Sequence, residues 1–426
     1  MEIVWRMVIT FFFLGVIDLY SFQLVKSAFP KAKWLRWAYW VIVLLTYGYI
    51  LLAITGWDPA STPRKVVNTF LGVLILLYVP KTVMAITLLI QDIFRLGLLV
   101  ANEFRGGKKA LENTDQGQNP NPNHRKLYKT SRRTFLSQIG LGVAAIPFTS
   151  ILYGIIQGRY DFRVIKKTLA FENLPEAFDG LRILQISDVH SGSFTNREKI
   201  AYGVDMINAQ KADVVFFTGD LVNNQADEME EWKDLFSTIN APMGVYSVFG
   251  NHDYGDYVTW PSEQDKVNNL SKLAKTHGEM GYNLLRNQNV TLEREGQKIH
   301  VAGVENWGYP PFPQYGDLNK ALEGINPGEF TILMSHDPSH FDGEVKQHPV
   351  GADLTLSGHT HGMQFGIEIP GWIKWSPVKY KYPKWAGLYE ENNRYLYVNR
   401  GFGYLAFPGR VGIWPEITVL ELRKSK

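Results

Sequence analysis

Five short polar clusters carry residue types suited to holding divalent cations. They are Asp188-Val189-His190, Gly219-Asp220, Gly250-Asn251-His252-Asp253, Ser335-His336-Asp337 and Gly358-His359-Thr360-His361-Gly362. Carboxylate, imidazole and amide oxygen suit borderline metals such as Mn, Fe and Zn. A carboxylate such as Asp220 can give one oxygen to each of two cations and hold them ~3.5–4 Å apart. Asp188 and His190 stand two residues apart, as do His359 and His361. An extended backbone would aim both members of each pair to one side. The glycines at 219, 250, 358 and 362 would let the chain turn sharply beside the ions. The chain has no cysteine, which excludes disulfides, zinc fingers, thiolate-bound clusters and a cysteine nucleophile.

The clusters must be positioned by regular elements, and apolar, β-branched runs precede them. Strands are expected at 181–187, 214–218, 245–249, 299–304, 330–335, 353–357 and 417–422. Helices are expected at 197–210, where Ile200, Val204 and Ile207 recur at helical spacing, and at 228–239. Alternating strands and helices argue for an α/β domain over 159–426. Ligands gather at the carboxyl ends of strands in such sheets, which is where the five clusters fall.

In this order the clusters resemble the calcineurin-like metallophosphoesterases. The family pattern is Asp-x-His, Gly-Asp, Gly-Asn-His followed by Asp or Glu, a lone His, then Gly-His-x-His. All of its elements occur between Asp188 and His361. The resemblance implies a two-sheet sandwich flanked by helices and a dinuclear phosphoester hydrolase. Carried over, Asp188, His190, Asp220 and His361 would ligate one metal, and Asp220, Asn251, His336 and His359 the other. Two divalent ions (Mn, Fe or Zn) would polarise the phosphoryl oxygens. A hydroxide held between them would attack phosphorus in line with the leaving group. His252 would steady the transition state or protonate the leaving oxygen. Asp253 would either orient His252 or serve as a turn or cap residue. The substrate would be a phosphodiester, phosphomonoester or pyrophosphate. A non-catalytic metal-binding membrane sensor or scaffold is the alternative. His252 beside a complete ligand set favours the enzyme, because a binding module has no need of a proton donor.

The longer string Gly358-His359-Thr360-His361-Gly362-Met363-Gln364 resembles one branch of the family. That branch holds membrane-associated bacterial phosphoesterases, some with a twin-arginine signal, and some UDP-diacylglucosamine pyrophosphate hydrolases. Those hydrolases work from the cytoplasmic side.

Residues 1–157 read as membrane. Apolar stretches at 4–24, 37–54, 66–100 and 135–156 are long enough to span, a span needing ~20 residues. Trp37, Trp40 and Trp57 lie near the ends of the second stretch as interfacial aromatics. Lys26, Lys31, Lys33 and Arg36 follow the first stretch. Arg105, Lys108, Lys109, Arg125, Lys126, Lys129, Arg132 and Arg133 follow the third. Positive loops face the cytoplasm. The charges therefore favour four spans, an outside N-terminus and an extracytoplasmic 159–426. A hairpin at Pro80-Lys81 would instead give five spans. The expected divisions are a transmembrane region at 1–104, a basic cytoplasmic linker at 105–133, a final anchor at 134–157 and the phosphoesterase domain at 159–426. Within the linker, 113–123 is polar, has two Asn-Pro pairs and reads as lacking fixed structure. Ser131-Arg132-Arg133-Thr134-Phe135-Leu136 resembles the twin-arginine export motif, although the two arginines would also serve as plain cytoplasmic anchors. With no cleavage site near 154–158, the segment is expected to stay as an anchor.

The expected setting is thus the cytoplasmic (inner) membrane of a bacterium. The partners are the lipid bilayer and a phosphoester, including a lipid-linked one. A net charge of +3 over 426 residues gives no case for nucleic acid. The aromatic and basic stretch from Trp372 to Trp385, with Trp375, Tyr380 and Tyr382, is open to two readings. It would rest on a lipid surface or form a packed loop. Arg400 would touch a substrate phosphate or sit in a structural ion pair.

Overall fold

A computed structural model describes residues 2–56, 64–109, 122–369 and 371–425. It divides into two compact units, Met1–Asp58 with Val73–Leu152 and Pro59–Gly72 with Tyr153–Lys426.

The first unit is helical. The helices are α1 (Glu2–Ala28), α2 (Lys33–Gly56), α3 (Arg64–Lys109) and α4 (Pro122–Ile156). Their stretches Ile9–Ala28, Lys33–Thr55, Val66–Ala101 and Arg133–Ile156 are long and apolar enough to cross a membrane. Helix α3 runs unbroken through Pro80, so no hairpin forms there. Within this unit Asp18 is buried, with Lys81 Nζ at 2.6 Å and the Tyr78 hydroxyl at 3.0 Å from its carboxylate. Helices α3 and α4 extend into both ends of the basic linker. Most of the polar stretch at 113–123 lies outside the described residues. Ser131 and Arg132 fall on α4, whose backbone there is helical.

The second unit is built on two six-stranded mixed sheets. The first has the order β1 (Arg163–Phe171), β14 (Glu416–Lys424), β2 (Arg182–Ile186), β3 (Val214–Phe217), β4 (Val245–Ser247) and β5 (Tyr282–Leu284). The second has the order β12 (Gly387–Glu391), β13 (Arg394–Val398), β9 (Leu354–Ser357), β8 (Thr331–Met334), β7 (Gln297–Gly303) and β6 (Gln288–Arg294). Strands β2 to β5 run parallel, as do β7, β8, β9 and β13. A separate hairpin pairs β10 (Ile367–Ile369) with β11 (Ile373–Trp375).

Side chains of a strand alternate between faces, and the central strands are apolar on both. Ile183, Val214 and Phe216 of the first sheet meet Val301, Ile332 and Leu356 of the second in one buried layer. Leu184, Val215 and Phe217 point the other way, onto helix α5 (Arg197–Asn208) through Ile200, Val204 and Ile207. The outer face of the second sheet is covered by Leu318, Phe341 and their neighbours. The result is the expected sandwich flanked by helices.

The helix expected at 228–239 is broken. A 3-10 turn at Ala226–Met229 is followed by the single-turn α6 (Lys233–Phe236). Glu228 turns back instead of continuing a helix, and its carboxylate accepts from the backbone N–H groups of Asn223, Asn224 and Gln225.

Candidate metal centre

The polar clusters leave the carboxyl ends of β2, β3, β8 and β9 and the segment after β4, and they meet above the sandwich edge. Asp220 lies at the centre. Its Oδ2 is 3.5 Å from His190 Nε2 and 3.1 Å from His336 Nε2. Its Oδ1 accepts from the His252 backbone N–H at 2.9 Å. Asp188 Oδ1 is 3.2 Å from His361 Nε2, and His190 Nε2 is 3.0 Å from the same nitrogen. His359 Nδ1 and Asn251 Oδ1 face each other at 2.8 Å. A cavity of about 270 Å³ opens onto His190, Asp220, Asn251, His252, His359 and His361, with Tyr257, Phe312 and Leu405 around it.

All eight residues singled out for ligation or catalysis therefore gather in one place. The backbone that brings them there is not extended as the spacing suggested. Asp188, His190, Asp220, His359 and His361 have φ values of 53°, 50°, 59°, 71° and 50°. These are left-handed conformations that L-residues with a Cβ adopt sparingly, although Asp and His tolerate them better than most. Of the flanking glycines, Gly358 acts by close approach. A Cβ there would run into the Asp188 carboxylate and the Ser187 hydroxyl.

The donor set fits divalent metal. Ligand atoms of Asp188, His190 and His361 lie within 4.8 Å of one another, and so do those of Asp188, Asp220 and His336. His336 Nε2 and His190 Nδ1 are buried without a hydrogen bond. His336 Nδ1 lies 2.7 Å from the Thr218 carbonyl oxygen. That oxygen can only accept, so Nδ1 carries the proton and Nε2 is left as the ligand atom. Burial pushes Asp188 and Asp220 up, but the imidazoles around them hold both below the usual carboxylate range. Burial pushes His336 down and the Asp220 carboxylate raises it to about 10; a cation at Nε2 would take the place of the proton that this carboxylate attracts there. Burial holds His190 and His359 below the ordinary histidine value, in the neutral form that binds metal.

His252 has its Nδ1 2.9 Å from the Asn223 carbonyl oxygen, which fixes the proton on Nδ1 and leaves Nε2 for the cavity. Asp253 does not orient it. The Asp253 carboxylate accepts from the backbone N–H groups of Asp220, Leu221, Val222 and Gly250, at 2.9, 2.8, 3.2 and 2.8 Å. It acts as the turn residue of the two expected roles and fixes the loop that carries Asp220. Arg400 is buried in an ion pair with Glu368 at 2.6 Å and with Glu416, so it is structural.

The sequence reading missed Tyr382 and Asp337 as neighbours of a ligand. The Tyr382 hydroxyl is 2.8 Å from His359 Nε2 and 3.4 Å from Asp337 Oδ2. Asp337 directly follows His336, and Tyr382 lies in the stretch assigned to lipid or loop. A carboxylate adjoining a ligand histidine was the available signal. The fully buried Arg410 was also missed, and its Nη2 lies 3.3 Å from His361 Nδ1.

A helix-flanked sandwich with clustered carboxylates and imidazoles at its strand ends defines a metallophosphoesterase, a hydrolase of phosphoester bonds. Residues 181–363 match the family model for "Calcineurin-like phosphoesterase". Residues 3–159 match "Probable Calcineurin-like phosphoesterase, transmembrane domain". YkuE of Bacillus subtilis, an uncharacterized metallophosphoesterase, is 31% identical over 70% of this chain and all of its own length. A zebrafish transmembrane protein with a metallophosphoesterase domain is 30% identical over 66% of this chain and 63% of its own. The UDP-2,3-diacylglucosamine pyrophosphatase LpxG of Chlamydia muridarum is 27% identical over 62% of this chain and 91% of its own. The chain belongs to the calcineurin-like metallophosphoesterases, in a multi-pass membrane form.

Proposed function

We propose that the chain is a dinuclear metal-dependent hydrolase of a lipid-linked phosphodiester, phosphomonoester or pyrophosphate at the extracytoplasmic surface of a bacterial inner membrane. The observation that carries this reading is Asp220, whose Oδ2 stands between His190 Nε2 at 3.5 Å and His336 Nε2 at 3.1 Å. Asp188, His190, Asp220 and His361 would hold one ion, and Asp220, Asn251, His336 and His359 the other. When bound, two divalent cations supply positive charge for the phosphoryl oxygens and acidify water for attack.

The chain's own groups do the rest. Tyr382 steadies the His359 ring through Nε2 at 2.8 Å. Asp253 holds the Asp220 loop by four amide hydrogen bonds. His252 presents Nε2 to the cavity, where, once that nitrogen has taken up a proton from water, it can pass it to the departing oxygen. The likeness to LpxG supports a lipid-linked phosphoester as the substrate class, met here from the opposite side of the membrane to that of the UDP-diacylglucosamine hydrolases. The basic segments following the first and third apolar stretches support the extracytoplasmic placement.

The test is hydrolysis of bis(p-nitrophenyl) phosphate and of lipid pyrophosphates by the purified full chain, stripped of metal and resupplied with Mn, Fe or Zn. Turnover that requires metal and disappears in Asp220→Asn is expected. His252→Ala should keep its metal and lose ~10²–10⁴ of the rate. Two bound ions without turnover on any of these esters would overturn the reading.

A further inference from the structure

The β10–β11 hairpin is inverted relative to ordinary surface sheet. Directly opposed residues of an antiparallel pair share a face. The pairs are Ile367 with Trp375 and Ile369 with Ile373, with Glu368 opposite Lys374 between them. Glu368 is turned inward, where it meets the buried Arg400 at 2.6 and 2.9 Å. The isoleucines of β10 are turned outward. Ile367 is 50% exposed, Ile369 42%, and Trp372 in the turn 76%. An isolated two-stranded hairpin is marginal in water, and one with its charge inside and its apolar face bare is more so.

What covers that face is indicated by the backbone beside it. Gly366 N–H donates to the Val411 carbonyl at 2.9 Å, and Val411 N–H donates to the Gln364 carbonyl at 2.8 Å. The next residue, Arg410, donates its N–H to the Gly154 carbonyl at 3.2 Å. Gly154 lies in the last turn of α4, two residues from the end of the membrane-length stretch Arg133–Ile156, and it belongs to the same compact unit as the hairpin. A short hydrogen-bonded path thus ties the hairpin base to the mouth of a span. Tyr380, 78% exposed, and the exposed Lys379 flank it, an aromatic and a cation of the kind that favours headgroup depth.

We propose that the β10–β11 hairpin is an interfacial wedge, with Ile367, Ile369 and Trp372 seated in the headgroup and upper acyl region of the bilayer. It rests on the membrane-anchored reading above. The wedge begins six residues after His361, and Arg410 on the same backbone path touches His361. The wedge would thus bring the lipid surface to the loop that carries His361. This makes an amphiphilic phosphoester, with its headgroup at the membrane surface, the substrate class that the site takes in preference to a fully soluble one.

The chain has no cysteine, so single labelling sites can be introduced cleanly. Ile369→Cys and, separately, Trp372→Cys are labelled with a polarity-sensitive dye in the full chain, with Lys275→Cys as the water-exposed control. The proteins are reconstituted in vesicles of phosphatidylcholine and phosphatidylglycerol, with or without lipid carrying a doxyl group high on the acyl chain. Both hairpin labels are expected to shift to the blue, to be quenched about twofold or more by the doxyl lipid, and to resist iodide. The Lys275 label should do the reverse. Hairpin labels that behave like the control overturn the proposal. Quenching in a protein that hydrolyses nothing would refute the proposed function and leave the wedge standing. Hydrolysis without quenching would do the opposite.

Discussion

Asp253→Asn separates two roles for one buried carboxylate. Both oxygens of Asp253 are spent on backbone: Oδ2 takes the N–H groups of Asp220 and Gly250, and Oδ1 those of Leu221 and Val222. A carboxamide of the same shape keeps one accepting oxygen and turns an NH2 toward the other two donors. Each hydrogen bond to a charged group contributes ~1.5–3 kcal/mol, so losing two costs ~3–6 kcal/mol. At ~2–4 °C per kcal/mol for a domain of this order, the apparent Tm should fall by at least ~6 °C. The loop that loosens carries Asp220, so metal affinity should weaken ~10–100-fold, as it does when the groups that orient metal ligands are removed. The assay is a thermal melt of the detergent-solubilised full chain beside a metal count by mass spectrometry. Unchanged melting and full metal content with lost turnover would refute the reasoning. That result would mean that Asp253 acts through His252 after all.

Tyr382→Phe removes the hydroxyl from His359 Nε2 and should weaken Mn binding ~10-fold or more in a fluorescence or calorimetric titration, and an unchanged affinity would count against the contact. His277 is fully buried beside Ser247 Oγ at 2.9 Å, and burial pushes it down to about 3. Its unfolded value is ~6.5, so the folded state resists a proton that the unfolded chain accepts. Stability from this group is present above pH ~6.5 and falls as the pH drops toward 3, by ~2 kcal/mol at pH ~5. His277→Gln should flatten the Tm–pH curve over that window, and an unaltered slope would refute the assignment. Lys81→Met should strand the buried Asp18 carboxylate and cost ~3–5 kcal/mol, measured as the folded fraction surviving heating in detergent. Adding Asp18→Asn should restore much of the loss, and no recovery would mean that the pair does not act as a unit.

The central strands and the clusters after them were legible because both signals are local. A run such as Val214–Phe217 is apolar on every residue, and a Gly-Asp or Gly-His-x-His string follows at once. The membrane stretches were legible for the same reason. The missed elements have weak local signals. Helix α7 (Glu263–Glu279) buries only Leu273, Thr276 and His277 along 17 residues, so its apolar stripe is too narrow to stand out. Edge strand β1 exposes most of its length. The β12–β13 hairpin did carry a usable sign. Asn392 and Asn393 have φ of 54° and 59°, the two-residue turn that asparagine favours. Tyr382 was beyond reach because its partner His359 lies on another loop, and Asp253 was legible as a turn residue but not as the holder of the distant Asp220 loop. The extended backbone inferred from the Asp-x-His spacing was wrong because the ligands sit in loops past the strand ends, where no ladder dictates φ.

That departure has a cost in backbone strain. Each non-glycine residue held in the left-handed region costs ~1–3 kcal/mol, toward the low end for Asp and His. Five such residues surround the candidate centre. Their combined strain approaches the ~5–15 kcal/mol net stability of an ordinary domain. It persists because the loops leave strands that are buried on two faces. Ile186 and Phe217 precede the first two clusters, and both are fully buried. The carboxylate of Asp253 then ties the β3 loop to the segment after β4. Gly358 lets the β9 loop lie against Asp188, and His359 N–H donates to that carboxylate at 3.0 Å. Two sheets thus hold five strained residues against one another.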